Sequence, residues 1–206
     1  MIDKMRSWLA YLFRKKKLKE LFQLTADAFL AEMPELHRLT YDACLLKYAE
    51  FTKNQAQRCL QGTIPAEEVK IRLYDHAYRF GRELGRGLHI RTWDGSMNAL
   101  VLIYQLIGIR FRYDAARPND LKEAGADQCK FKITECFFSN YYSPETCALI
   151  SSLDEGLAAG LTGGGKLTFT QRITEGPDCC CGTIVGQTGL NGRYHNSSER
   201  IEESKE

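Results

Sequence analysis

The spacing of apolar residues changes once along this 206-residue chain, and the change comes at Gly108. Up to Leu106 they recur at three and four, the period of a helix face. From Ile109 they alternate, first in Ile109–Tyr113 and again at Cys129, Phe131 and Ile133 against Lys130, Lys132 and Thr134. Side chains on a strand point to opposite faces in turn, so such alternation describes a half-buried sheet. The pattern predicts an α/β (α+β) chain: N-terminal helices packed with a mostly antiparallel four-stranded sheet, and one inserted helix near the C-terminus. Residues 1–185 form one domain in this reading, with a helical part at 1–106 and a sheet-helix-hairpin part at 107–185. Residues 186–206, polar and poor in apolar side chains, read as a disordered tail.

Four helices are expected in the first part. Met5, Trp8, Leu9 and Leu12 begin a pattern that Leu21, Phe22, Ala28 and Phe29 continue toward Glu32. Pro34 opens the second, with Leu36, Leu39, Ala43 and Leu46 as its stripe and Gly62 just past its end. Thr63 caps the third, Pro65 suits its first turn, and Val69, Leu73, Ala77, Phe80 and Leu84 face inward. The fourth starts at Ser96. Beyond a polar connection at 115–127, Ser143 and Pro144 open the inserted helix, which runs to about Ala159. Gly163–Gly165 release it into a strand at Lys166–Ile173, Glu175–Asp178 make a hairpin turn, and Cys179–Val185 form the last strand.

Charge and cysteine content exclude several classes. With 28 Lys plus Arg against 26 Asp plus Glu, the net charge of +2 gives no electrostatic case for a nucleic-acid partner. The apolar run Trp8–Phe13 is too short for a secretory signal and carries its basic residues, Arg14–Lys17, on the wrong side; no run spans a bilayer. A chain this long does not need disulfides, and its eight cysteines, three of them consecutive, suit a reducing compartment. A cytoplasmic protein is expected, with a homodimer through the N-terminal helices as the assembly an exposed apolar face there would imply.

The reactive side chains crowd into the last third. On the inserted helix Cys147, Ser151 and Asp154 stand at i, i+4 and i+7, a thiol, a hydroxyl and a carboxylate along one stripe beside Ile150, Leu153 and Leu157. Strand parity puts Cys179 and Cys181 on one face and Cys180 on the other. The same rule, absent a bulge, sets Cys136 and Arg172 on the polar side of the sheet. Cys136, Asp154 and Cys180, with Cys147, are either a thiolate metal site holding zinc or iron, or a nucleophile with its general base. The competing reading makes these cysteines small buried hydrophobes. Tyr142, with Tyr141, lines a pocket or caps the sheet. His76 reads as a hydrogen-bonded, half-buried residue beside the stripe of the third helix.

Thr134-Glu-Cys136, Asp154 with Gly160, Phe169-Thr-Gln-Arg172 and Gly176-x-Asp178-x-Cys180 together resemble the L-2-amino-thiazoline-4-carboxylate hydrolase-like family. The resemblance covers roughly residues 107 to 185. A related arrangement of thiols before and after a helix occurs in 4-vinyl-reductase-type small-molecule domains and their vesicle-tethering relatives. This chain departs from the family by having Cys136-Phe137 for a usual Cys-Pro, and by flanking Cys180 with Cys179 and Cys181. The resemblance implies a hydrolase acting on a cyclic amidine, opening a thiazoline ring to an N-carbamoyl-cysteine product. It implies that Asp154 is the base or orients the nucleophile, that Cys136 or Cys180 is nucleophile or ligand, and that Arg172 holds the substrate carboxylate; the helix stripe and the aromatic pair add Ser151 and Tyr142 as expected substrate-binding residues. Its non-catalytic alternative is a small-molecule or metal-binding sensor domain.

Overall fold

Three side-chain caps and one left-handed glycine set the helix limits in the computed structural model, which describes the backbone of residues 2–115 and 127–186 and the side chains of 13–114 and 127–186. The stripe expected at Met5, Trp8, Leu9 and Leu12, most of the 115–127 connection, and the tail from 187 with its His195 lie outside those residues. Helix α1 spans Ile2–Ala28. It stops short of Glu32 because Leu30 takes a left-handed conformation, φ 52°. Helix α2 is Tyr41–Leu60, so the expected start at Pro34 is seven residues early. Arg38 is also left-handed, φ 64°, and Thr40 accepts a hydrogen bond from the Ala43 amide as the cap. The buried stripe of α2 is accordingly Cys44, Leu45, Tyr48, Ala49 and Thr52, while Leu46 faces out.

Helix α3, Ala66–Gly87, has Pro65 rather than Thr63 at its cap position, with no side-chain cap bond. Val69, Leu73 and Ala77 are buried as expected. Helix α4 is Trp93–Leu106, begun three residues before Ser96 because Thr92 caps the Gly95 amide. Helix α5 is Pro144–Thr162; Ser143 caps it, Pro144 sits in its first turn, and Gly163 ends it at φ 71°.

The strands are β1 Ile109–Ala115, β2 Gln128–Cys136, β3 Lys166–Gln171 and β4 Cys180–Val185. They form one antiparallel sheet in the order β1-β2-β4-β3. Because β4 lies between β2 and β3, those two run in the same direction, and α5 makes the crossover that parallel neighbours require. One face of the sheet carries Phe111, Cys129, Phe131, Ile133, Leu167 and Ile184 into the core, and the alternate residues Lys130 and Lys132 are exposed. The helices cover the first face. Tyr104 of α4 stacks on Phe111 at 4.7 Å between ring centres, Phe111 on Phe131 at 5.4 Å, and Phe131 meets Phe169 edge-on at 5.3 Å. Gly182 lies between the last two in register, and a Cβ there would be 2.5 Å from the Phe131 ring. Its missing side chain lets the aromatic row close across β4. Rings buried this way stabilise by roughly 1.5–3 kcal/mol each relative to exposure.

Two bulges overturn the parity expectation for the sheet. Arg110 pairs with Glu135 but Phe111 pairs with Ile133, so Thr134 is an extra residue in β2. Thr134 and Glu135 are consecutively exposed, and Cys136, opposite buried Ile109, turns inward. In β3, Phe169 pairs with Gly182 and Gln171 with Cys181, leaving Thr170 as the extra residue. Arg172 is thereby carried to the helix side, its guanidinium 4.8 Å from the centre of the Phe169 ring. Cys136 and Arg172 do share a side, but the covered one, because each bulge shifts the alternation by one residue.

Candidate functional site

Between α5, the helices α1 to α4 and the ends of β1 and β2 lies a cavity with about 80 Å³ of free space. Cys147, Ser151 and Asp154, one stripe of α5 as the spacing requires, all line it, together with Cys136 from β2 and Tyr142 from the loop before α5. Ile150, Leu153 and Leu157 of the adjacent stripe line it as well. Tyr142 therefore faces the pocket, and its hydroxyl hydrogen-bonds to Thr52 of α2.

Asp154 is the chemical centre of the arrangement. Tyr104 donates from its hydroxyl to Asp154 Oδ1 at 2.8 Å. Burial pushes the carboxyl up to about 7; the Tyr104 hydrogen bond opposes this, the nearby Glu155 charge adds to it, and Arg172 opposes it again. A carboxyl balanced near neutrality can both take and return a proton there, which is the requirement for general acid–base work. Tyr104 has no signal in the sequence beyond its place in an apolar helix, because its partner is fifty residues away.

The cavity thiols are neutral at neutral pH. Burial raises Cys136 to about 12 against hydrogen bonds from the Ser139 and Phe138 backbone, and it raises Cys180 to about 11. Cys147 is raised for the same first reason. Cys180 faces inward as its parity requires, is buried, and accepts the Ile173 amide at 3.3 Å on its sulfur. It sits beneath the cavity rather than on its wall, close enough to Cys136, Cys147 and Asp154 for their charges to interact. Arg172 stands at the edge: its Nε donates to Ser151 Oγ at 3.4 Å, and its Nη1 pairs with Glu175 at 3.4 Å. Ser151 in turn donates to the Cys147 carbonyl at 2.8 Å.

Among the described residues, no three His, Cys, Asp or Glu side chains are placed to hold a metal ion. Cys136, Cys147 and Cys180 surround one end of the cavity without converging as a zinc or iron ligand set, since two are on its wall and one lies below. The arrangement fits protonated thiols beside an acid–base carboxyl better than a thiolate cluster. No described helix is long and apolar enough to cross a membrane.

Removing the Tyr104 hydroxyl tests the electrostatics directly. A hydrogen bond to a charged group contributes about 1.5–3 kcal/mol, so Tyr104→Phe is expected to move the Asp154 titration upward by about one to two pH units. Carboxyl carbon NMR of labelled protein reads this; an unmoved titration would show that Tyr104 does not tune the group.

No protein-family model matches this chain, and no curated protein matches it in sequence.

Proposed function

We propose that the cavity is the active site of a hydrolase that opens a small cyclic amidine, of the L-2-amino-thiazoline-4-carboxylate kind, to an N-carbamoyl-cysteine-type product. The observation that carries this reading is the buried Asp154 carboxyl, raised to about 7 and held by Tyr104 on the wall of the cavity. Asp154, ionised, takes a proton from water as the water oxygen bonds to the ring carbon between nitrogen and sulfur. The carbon–sulfur bond then breaks. The two protons of the water end on the ring nitrogen and on the released thiol, the second returned by Asp154.

Cys136, neutral beside the site, keeps its proton and turns its S–H toward the departing sulfur while Asp154 returns the proton, rather than acting as the nucleophile expected from the motif. Arg172, next to Ser151 at the cavity edge, supplies the positive charge for the substrate carboxylate. The apolar wall of Ile150, Leu153 and Leu157 suits the ring's methylene and sulfur.

The test is release of thiol from L-2-amino-thiazoline-4-carboxylate. Turnover is expected from the full chain, with a loss of about 100-fold or more in kcat for Asp154→Asn. Turnover that survives this substitution, or none from the unaltered protein, would remove the assignment.

A binding module without turnover is the second reading, and one observation favours it. Leu21, Phe80, Ile103 and Ile107 line both this cavity and a narrow apolar groove of about 20 Å³ between α1, α3 and α4. Such continuity suits a longer apolar ligand than a thiazoline. Native mass spectrometry of protein purified without detergent separates the two: a retained apolar compound, with no thiol release, favours the sensor.

A further inference from the structure

Cys179 and Cys181 lie on the other side of β4 from the cavity, with their sulfurs 3.4 Å apart. Both are free and half-exposed. They belong to a row that crosses three strands, for Cys181 pairs with Lys132 of β2 on one side and with Gln171 of β3 on the other. Gln171 Nε2 donates to the Cys179 carbonyl at 3.1 Å and to the Cys179 sulfur at 3.3 Å. Either thiol can be the donor in the sulfur–sulfur contact, and the Gln171 amide holds the Cys179 sulfur in place beside Cys181. Burial and the neighbouring Cys179 push the Cys181 thiol up, and the Lys132 ammonium across the strand opposes them in part.

Two residues along a strand are separated by about 6.6 Å, near the upper end of the Cα separations a disulfide bridges, roughly 4.4–6.8 Å. Cys179 is not yet in the strand; it ends the bend at 176–179, and this allows its sulfur to turn toward Cys181. The intervening Cys180 points the opposite way, into the core, and does not compete.

We propose that Cys179 and Cys181 are a reversible dithiol–disulfide couple that exchanges with low-molecular-weight disulfides. Cys179, as thiolate, attacks one sulfur of the incoming disulfide; that S–S bond breaks, and one half leaves as a thiol carrying the proton Cys179 has shed. Cys181 then attacks the Cys179 sulfur, the internal S–S bond forms, and the second half leaves with the Cys181 proton. The protein loses two electrons and two protons, and the small disulfide becomes two thiols. A bridge across so short a segment on an exposed face is strained and accessible, which places it among the readily reduced disulfides.

The experiment equilibrates the full chain, without oxygen, in buffers of graded reduced and oxidised glutathione, quenches with acid, and alkylates the remaining thiols. The expected result is loss of two hydrogens in the intact mass, reversed by excess reduced glutathione, with the link mapped to Cys179 and Cys181. Cys180→Ser keeps the closure, whereas Cys179→Ser and Cys181→Ser abolish it. Glutathione that stays attached to one cysteine without closure, or closure lost in Cys180→Ser and kept in the other two, would overturn the proposal.

Discussion

Replacing Asp154 with asparagine should make the protein more stable at pH 8 while removing the proposed activity. The folded carboxyl titrates at about 7, above its ordinary 3.8, chiefly because it is buried. A raised folded value means that the native state holds the proton more tightly than the unfolded chain. The resulting stability is complete below the ordinary value and is lost as pH rises through 7. Above 7 the native protein carries a buried carboxylate whose Tyr104 and Arg172 contacts compensate only in part. The penalty is on the order of 4 kcal/mol at 1.36 kcal/mol per pH unit.

Asparagine keeps an oxygen for the Tyr104 hydroxyl and has no charge to bury. A gain of roughly 8–16 °C in Tm at pH 8 is therefore expected, for a chain of this length, and it should shrink toward zero at pH 4. Thermal unfolding of both proteins from pH 4 to 8 gives the answer. Parallel stability curves would mean that Asp154 is not the group whose ionisation costs the fold. A more stable but inactive variant is the usual mark of a site that holds strain for function.

The second large effect is expected where α5 lies against α3. Gly156 and Gly160 bring the two backbones into contact: a Cβ on Gly156 would lie 2.2 Å from the Tyr74 carbonyl oxygen, and one on Gly160 2.2 Å from that of Tyr78. Gly81 answers from α3, where a Cβ would be 2.7 Å from the Leu157 carbonyl oxygen. Alanine is the better helix former by about 1 kcal/mol, yet the steric conflict is with backbone and cannot be relieved by a rotamer. Gly156→Ala and Gly160→Ala should each destabilise by about 2–3 kcal/mol.

Gly87, at the end of α3, has nothing within 4 Å of its added Cβ, and Gly87→Ala should be neutral or slightly stabilising. Urea unfolding of the three variants decides the matter; equal midpoints would mean the helices separate at little cost. Because Asp154 and Leu157 share this helix, lifting α5 should also weaken ligand binding in the cavity.

Local signals predicted the right elements and the wrong detail in consistent ways. Ser143, Pro144 and Gly163 delimit α5 almost as read, because caps act within one turn. Pro34 misled, since proline permits a helix start without requiring one, and Thr40 provides the cap bond further on. The stripe of Cys147, Ser151 and Asp154 was legible because helix geometry alone aligns it, and it lines the cavity. Cys136 and Arg172 were assigned to the uncovered side because a bulge adds one residue without changing the residue pattern that precedes it.

What the sequence by itself determined is the class of fold, the helix and strand types, and the one helix face that gathers a thiol, a hydroxyl and a carboxylate. Those depend on periods and caps, which are properties of neighbours along the chain. The tertiary structure alone decided that two bulges turn Cys136 and Arg172 inward, that Tyr104 meets Asp154, and that burial raises the Asp154 carboxyl to about 7 while keeping the thiols around it neutral. Register across strands and the dielectric around a side chain are set by segments far apart in sequence, and no local pattern encodes them.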